Sequence, residues 1–255
     1  SFLCLECSEG RIELWDGPGG RQLATDVLPG LRRVLATPSG CLASGLDRAV
    51  LVHPEGEARE LPARASSVAV DGLGMLVAGE GRIFSYDGQG EPMATYAEPA
   101  DANAMGRVGD WLVVGFGDGN AEVYSRGTRS PEPLRGLQAT PSSPVERIIG
   151  GPEGTAVLGY ASGEWGLWDL ATGARLLEGR LHGSVVHLDY RDGRLLVATD
   201  LGAHRRVDLG VFESPYCELM RQVWDDVSVE WQEGAAAAVD PPSDHSCSAG
   251  ASAVD

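Results

Sequence analysis

The sequence predicts an all-β fold, a β-propeller of about six to seven four-stranded blades with an incomplete first blade and a short C-terminal helix and strand appended. Three observations point there. One phrase recurs six times: a small-residue apolar run, a tight turn carrying an acid, a short apolar strand and a Gly-rich turn. The copies read CLECSEGRIELWD, CLASGLDRAVLVH, MLVAGEGRIFSYD, WLVVGFGDGNAEVYS, AVLGYASGEWGLWDL and LLVATDLGAHRRVDL. Their third-strand anchors, Trp15, Val52, Tyr86, Tyr124, Trp168 and Val207, lie 37, 34, 38, 44 and 39 residues apart, and a period near forty built of short strands is that of a propeller blade. Glycine supplies 35 of 255 residues, as a turn at roughly every tenth residue demands.

The unit at 66–99 shows every element. Ser67 to Val70 alternate as a first strand, Met75 to Ala78 form a second, Arg82 to Tyr86 a third and Met93 to Tyr96 an outer strand. The turns at Asp71–Gly74, Glu80–Gly81 and Asp87–Gly90 separate them. Unit two spans 29–65, unit four 100–141, unit five 142–183, and unit six begins at Ser184. In the first unit Phe2 to Glu6 align with second strands, so the innermost strand is missing and ladder groups are left open. The expectation is a further strand, blade or domain upstream, with this chain the C-terminal part of a larger protein.

The stretch PEGTAVLGYASGEWGLWDLATGARLLEGRLHGSVVHLDYRDGRLLVATD is similar to WD40 repeats. Trp15-Asp16 and Trp168-Asp169 sit at the ends of third strands, and His182-Gly183 resembles, in inverted order, the Gly-His pair that precedes a first strand. The resemblance covers roughly residues 2 to 210. It implies a structural tetrad of His, Ser or Thr, Asp and Trp, part of which His182 and Thr199 keep in unit six, where Val207 replaces the Trp. It also implies a rigid disc whose loop-bearing face binds a peptide or protein.

The organisation expected is a propeller over 1–213, a capping helix and strand over 214–233 and a disordered tail over 234–255. Ser214 is expected to cap the helix with Pro215 at its first position. Tyr216, Leu219, Met220 and Val223 share one apolar face, and Val227, Val229 and Trp231 alternate as a strand. The helix is read as a cap on the propeller, covering open ladder groups and sheltering Trp224 and Trp231, or as a docking element for another protein. Ala, Ser, Pro and Asp dominate the remainder, leaving little to bury.

Composition narrows the partners. A net charge of −17 argues against nucleic acid and against anionic membrane surfaces, and suits either solubility or a basic partner. All 20 basic residues are arginine, which with abundant Gly and Ala points to a GC-rich, bacterial genome. Five cysteines are an odd number in a chain too long to need stapling. Cys4 and Cys7 point to opposite faces of a strand and make a poor zinc knuckle. Cys4, Cys7 and Cys41 are therefore expected as buried free thiols in a reducing, cytoplasmic compartment. A Cys217–Cys247 disulfide would need an oxidising one.

Candidate site residues are the acids between second and third strands: Glu9, Asp47, Glu80, Asp118, Glu164 and Asp200. Equivalent turns place them around one face. They either tighten their hairpins, form an acidic rim for a basic partner, or hold a cation. Trp111, Trp165 and His204 are expected near the same loops. His53, His182, His187, His204 and His245 have no metal-site spacing, and GDGN at 117–120 is a hairpin turn rather than a phosphate loop. Asp244-His245-Ser246-Cys247 lies in a segment too flexible to hold reactive geometry. No cofactor, metal or catalytic set is expected. The function expected is a non-enzymatic interaction or sensory scaffold in a signalling protein. The alternatives are a propeller hydrolase or lyase with a site in the central funnel, and a purely structural spacer.

Overall fold

The structure, a computed structural model, describes residues 2–17, 19–45, 48–63, 65–71, 74–79, 82–97, 102–125, 135–137, 143–227, 229–232, 234–238 and 245–247. Six antiparallel sheets follow one another in chain order, each a meander. The first holds β1 (Phe2–Cys7), β2 (Arg11–Asp16) and β3 (Arg21–Val27). The second holds β4 (Arg33–Thr37), β5 (Gly40–Ser44), β6 (Arg48–Val52) and β7 (Ala58–Ala63). The third holds β8 (Ala65–Asp71), β9 (Gly74–Gly79), β10 (Arg82–Tyr86) and β11 (Pro92–Ala97). The fourth holds β12 (Ala102–Val108), β13 (Trp111–Phe116), β14 (Ala121–Ser125) and β15 (Arg135–Leu137). The fifth holds β16 (Val145–Gly150), β17 (Thr155–Tyr160), β18 (Glu164–Asp169) and β19 (Arg175–Arg180). The sixth holds β20 (Val185–Arg191), β21 (Arg194–Thr199) and β22 (His204–Asp208).

The core is divided among the gaps between successive sheets rather than gathered in one place. Leu14, Leu28, Cys41 and Val50 fill the first gap; Leu42, Leu51, Val68 and Val77 fill the second. Leu76, Ile83, Met105 and Val114 fill the third, Val113, Val145, Leu158 and Trp168 the fourth, and Val157, Leu167, Val185 and Val197 the fifth. A middle strand covered on both faces favours an almost continuous apolar run. β5, β9 and β17 are buried along their whole length and carry polar side chains only at their ends, Ser44 of β5 and Thr155 of β17.

The turns repeat with the strands. Between second and third strands of the first and fifth sheets, Gly10 and Gly163 take φ of 74° and 83°. Their carbonyls accept from Leu28 and Leu181, at 2.8 and 2.9 Å. A Cβ on either glycine would lie 2.3 or 2.2 Å from the carbonyl oxygen of that same leucine, so only glycine lets the fourth strand close on the turn.

The inner strands β4, β8, β12, β16 and β20 pack in succession, and β1 packs against β4 and β5. Among the described residues the first sheet has three strands, with β1 in the place that β5 takes in the second sheet. The sixth sheet also has three strands among the described residues. After β22 the Asp208 carboxylate caps the amide of Gly210 at 2.9 Å, and the chain enters a 3-10 turn instead of an outer strand.

Cysteine chemistry corrects the reading of free thiols. Cys4 of β1 and Cys41 of β5 form a disulfide joining the first two sheets, at neighbouring second-strand positions 37 residues apart. Cys217 and Cys247 form another. The side chain of Cys7 lies outside the described residues.

The helix α1 (Tyr216–Asp226) forms where its pattern places it, with a different start. Ser214 makes no cap; its hydroxyl donates to Gly210 carbonyl at 3.2 Å, and Pro215 occupies the capping position. No residue of α1 is buried, so Tyr216 and Val223 face solvent rather than the sheets. Within the stretch read as tail, β24 (Ala235–Ala238) pairs with β23 (Val229–Gln232). His245 meets Trp224 edge-on at 5.1 Å beside the Cys217–Cys247 bond, and Cys247 is buried. The side chain of Trp231 lies outside the described residues.

Candidate functional site

At one end of the array the second strands turn into the third strands and the inner strands begin. The acid-bearing turns lie here. Asp47 and Glu80 fall outside the described residues. Asp118 is exposed and holds its hairpin closed, accepting from the Asn120 amide at 3.0 Å and its side chain at 2.7 Å. Asp200 accepts from the Ser184 amide at 2.8 Å, tying its turn to the start of β20. Glu164 accepts from the Ser162 hydroxyl at 3.2 Å. Glu9 is exposed at φ 66°, a conformation that favours glycine, so turn formation does not account for its side chain.

The companion residues separate. His204 is exposed and opens β22 at this same end. Trp165 also lies here but is 3% exposed, its ring packed over Gly179, so it serves the core and offers no surface to a partner. Trp111 pairs with Val108 and Ser125 at the opposite end of its sheet, about 17 Å away along a strand of this length. It is half-buried against the fourth-gap core.

The tetrad-like residues each bond close to their own turns or strands. Thr199 is buried and donates to the main-chain carbonyl of His182 at 2.7 Å, while the imidazole of His182 is exposed. Trp168 is fully buried beside Tyr160, and Asp169 accepts from the Thr172 amide at 2.7 Å to close the next turn. Half-buried Trp15 donates to its neighbour Glu13 at 3.0 Å, and the Asp16 carbonyl accepts from Gly20 at 2.8 Å.

Sequence reasoning placed inner strands but missed the charged groups that they bring together. A cavity of about 290 Å³ is lined by β4, β8, β12 and β16. Its walls include Leu35, Val70, Met105 and Ile149, and its charged groups are Arg33, Arg107, Arg147 and Glu146. Arg33 and the Glu146–Arg147 pair stand where their strands begin, at the acid-turn end. Arg107 stands at the far end of β12 and donates to buried Ser85 at 3.1 Å. Burial and the neighbouring Arg147 push the Arg33 pKa down to about 10, against a smaller opposing effect of Glu146. Burial also lowers that of Arg147, with Glu146 opposing.

The same strands are joined by side chains. Arg33 donates to the carbonyl of Val68 at 3.4 Å, Ser67 to that of Asn103 at 2.9 Å, Asn103 to that of Val145 at 2.6 Å, and Arg147 to that of Val186 at 2.9 Å. Each bond steps from one inner strand to the next, running from β4 to β20. Register shifts near the starts of β8, β12, β16 and β20 make Ser66, Asn103, Glu146 and Val186 extra residues, a repeated bulge at the same place in four sheets.

No family model and no curated protein matches the sequence. Among solved structures 1473 chains match, a breadth that makes the architecture common and silent about activity. One is the crystal structure of the computationally designed Ika8 protein, with a TM-score of 0.63 and 18% identity over 80% of this chain and 67% of that one. The chain thus belongs, by fold, with all-β, propeller-like proteins of successive antiparallel sheets. Among the described residues no group of three metal-ligating side chains gathers, and no helix is long and apolar enough to cross a membrane.

Proposed function

We propose that this chain is a non-enzymatic binding module, a divergent relative of WD40 propellers that takes a protein or peptide at its acid-turn end. The observation that carries the reading is the chemistry of the inner cavity. Three of its four charged groups are guanidiniums, which recognise and orient anions but stay protonated at neutral pH and move no proton. Around that end, Glu9 and Glu164 offer carboxylates to a basic segment, while Asp118 and Asp200 tie down their own turns. A second reading, a funnel enzyme, draws on the lowered pKa of Arg33 in the cavity; it needs Glu146 as its acid or base. The two disulfides support an oxidising working compartment, in place of the cytoplasm expected from the sequence.

The test is retention of a hexa-arginine amide by the immobilised chain at low salt. The E9Q/E164Q pair is expected to weaken retention about fivefold, as the loss of two exposed ion pairs implies. The control pair E55Q/E57Q, on the loop between β6 and β7 at the opposite end, leaves it unchanged. Equal loss in both variants would reduce the rim to bulk negative charge and overturn the reading.

A further inference from the structure

Arg33 and Arg147 reach one cavity from the second and fifth sheets. A guanidinium carries five N–H donors. Arg33 uses one on Val68; Arg147 uses Nε on Val186 and Nη1 on the Glu146 carbonyl at 2.7 Å. Among the described residues neither is in an ion pair, although other arginines are, including Arg48, Arg59 and Arg175. Two like charges are thus held together, partly desolvated, with most donors unspent. Such an arrangement costs free energy in the empty protein and is relieved by an anion. Since the molecule carries a net charge of −17, a general demand for surface cations does not explain the pair.

The anion is constrained by its surroundings. Arg33, Arg147 and Glu146 sum to a single positive charge at this end, which one carboxylate neutralises and a phosphate dianion would overshoot. Beyond them Leu35, Val70 and Ile149 present half-buried hydrocarbon. The volume, about 290 Å³, lies near the small end of ligand pockets, roughly 300 Å³.

We propose that the cavity binds a carboxylate carried on a short apolar body, with the carboxylate between Arg33 and Arg147 and the hydrocarbon against Leu35, Val70 and Ile149. The ligand is a free short-chain acid or the C-terminus of a peptide. This deepens the reading of the acid-turn end as a binding face by naming what its centre holds.

The experiment is calorimetric titration of the full chain with sodium hexanoate, with hexanamide, and with the peptide Ac-Arg-Ala-Leu as free acid and as amide. At least one acid is expected to bind about tenfold or more tightly than its amide, and R33M and R147M each to lose about tenfold, with R33K keeping part of the affinity. Hexanoate alone binding identifies a small acid; the peptide acid alone binding identifies a C-terminus. Acid and amide binding alike, neither acid binding, or unchanged affinity in folded R33M and R147M would overturn the proposal. The acid–amide comparison is made on the native chain, so it stands even if a variant fails to fold. Hexa-arginine amide has no carboxylate, so its retention with both acids ignored would sink this assignment and leave the rim reading intact.

Discussion

Arg33 is a cation held where its charge is disfavoured, and that sets a stability prediction. Its folded pKa, about 10, lies well below that of the unfolded chain, which therefore holds the proton more tightly. Folding is therefore penalised at neutral pH, and the penalty fades as pH rises above about 10. Arg33→Met should raise stability by about 1 kcal/mol after discounting for partial solvent access, or roughly 2–4 °C in Tm. Melts at neutral pH and at about pH 11 check it, the gain shrinking at the higher pH; a Tm that falls at neutral pH would contradict the burial penalty. Such residues were hard to read from the chain. Arg33, Glu146 and Arg147 lie in short strands, RVLAT and VERIIG, where a charge reads as an outward-facing position; only the convergence of separate sheets turns them into one site. The turn acids announce themselves because a loop acid needs no tertiary context to be noticed. Trp165 misleads for the converse reason: its neighbour across the strand, Gly179, leaves room for the ring, and that pairing is set by register.

Elements were legible where local chemistry decides them. Alternation and Gly-rich turns place all four strands of the 66–99 unit, and the 3.6-residue pattern places α1. The start of α1 was misjudged because Ser214 has a competing acceptor, the Gly210 carbonyl, supplied by a 3-10 turn that no periodicity signals. Nor does sequence pattern reveal the side-chain bonds linking successive inner strands. Asn103 stands in the middle of them, accepting from Ser67 and donating to Val145. Asn103→Ala should cost about 1 kcal/mol, the net worth of a hydrogen bond. Asn103→Asp should cost more, since a carboxylate then faces a carbonyl with no proton between them. Urea unfolding reads both; equal stability of the Asp variant and the native chain would show that the amide does not bridge the strands.

Across the whole molecule, repetition made the fold readable and the ends hard to read. Internal sheets are covered on both faces by copies of themselves, so their sequences repeat; the first and sixth are each covered differently. Leu3 and Leu5 of β1 stay exposed, and β22 presents His204, Arg205 and Arg206. Covalent bonds appear at these two margins. The Cys4–Cys41 bond closes a separation of 37 residues through the core of the array, whereas Cys217–Cys247 closes 30 within the helix and the segment behind it. C4S/C41S should therefore lower the main Tm by roughly 10 °C, from about 3–4 kcal/mol of lost chain restriction, and C217S/C247S should leave that transition nearly in place. Equal shifts in calorimetry would mean the two margins unfold as one unit. The side-chain bonds between inner strands begin at β4, so the first sheet has no share in them. A tension entering through β1 would pass straight into β5 by way of sulfur, and a three-stranded sheet at the edge of the array would become the hardest to peel away until a thiol cut its tether.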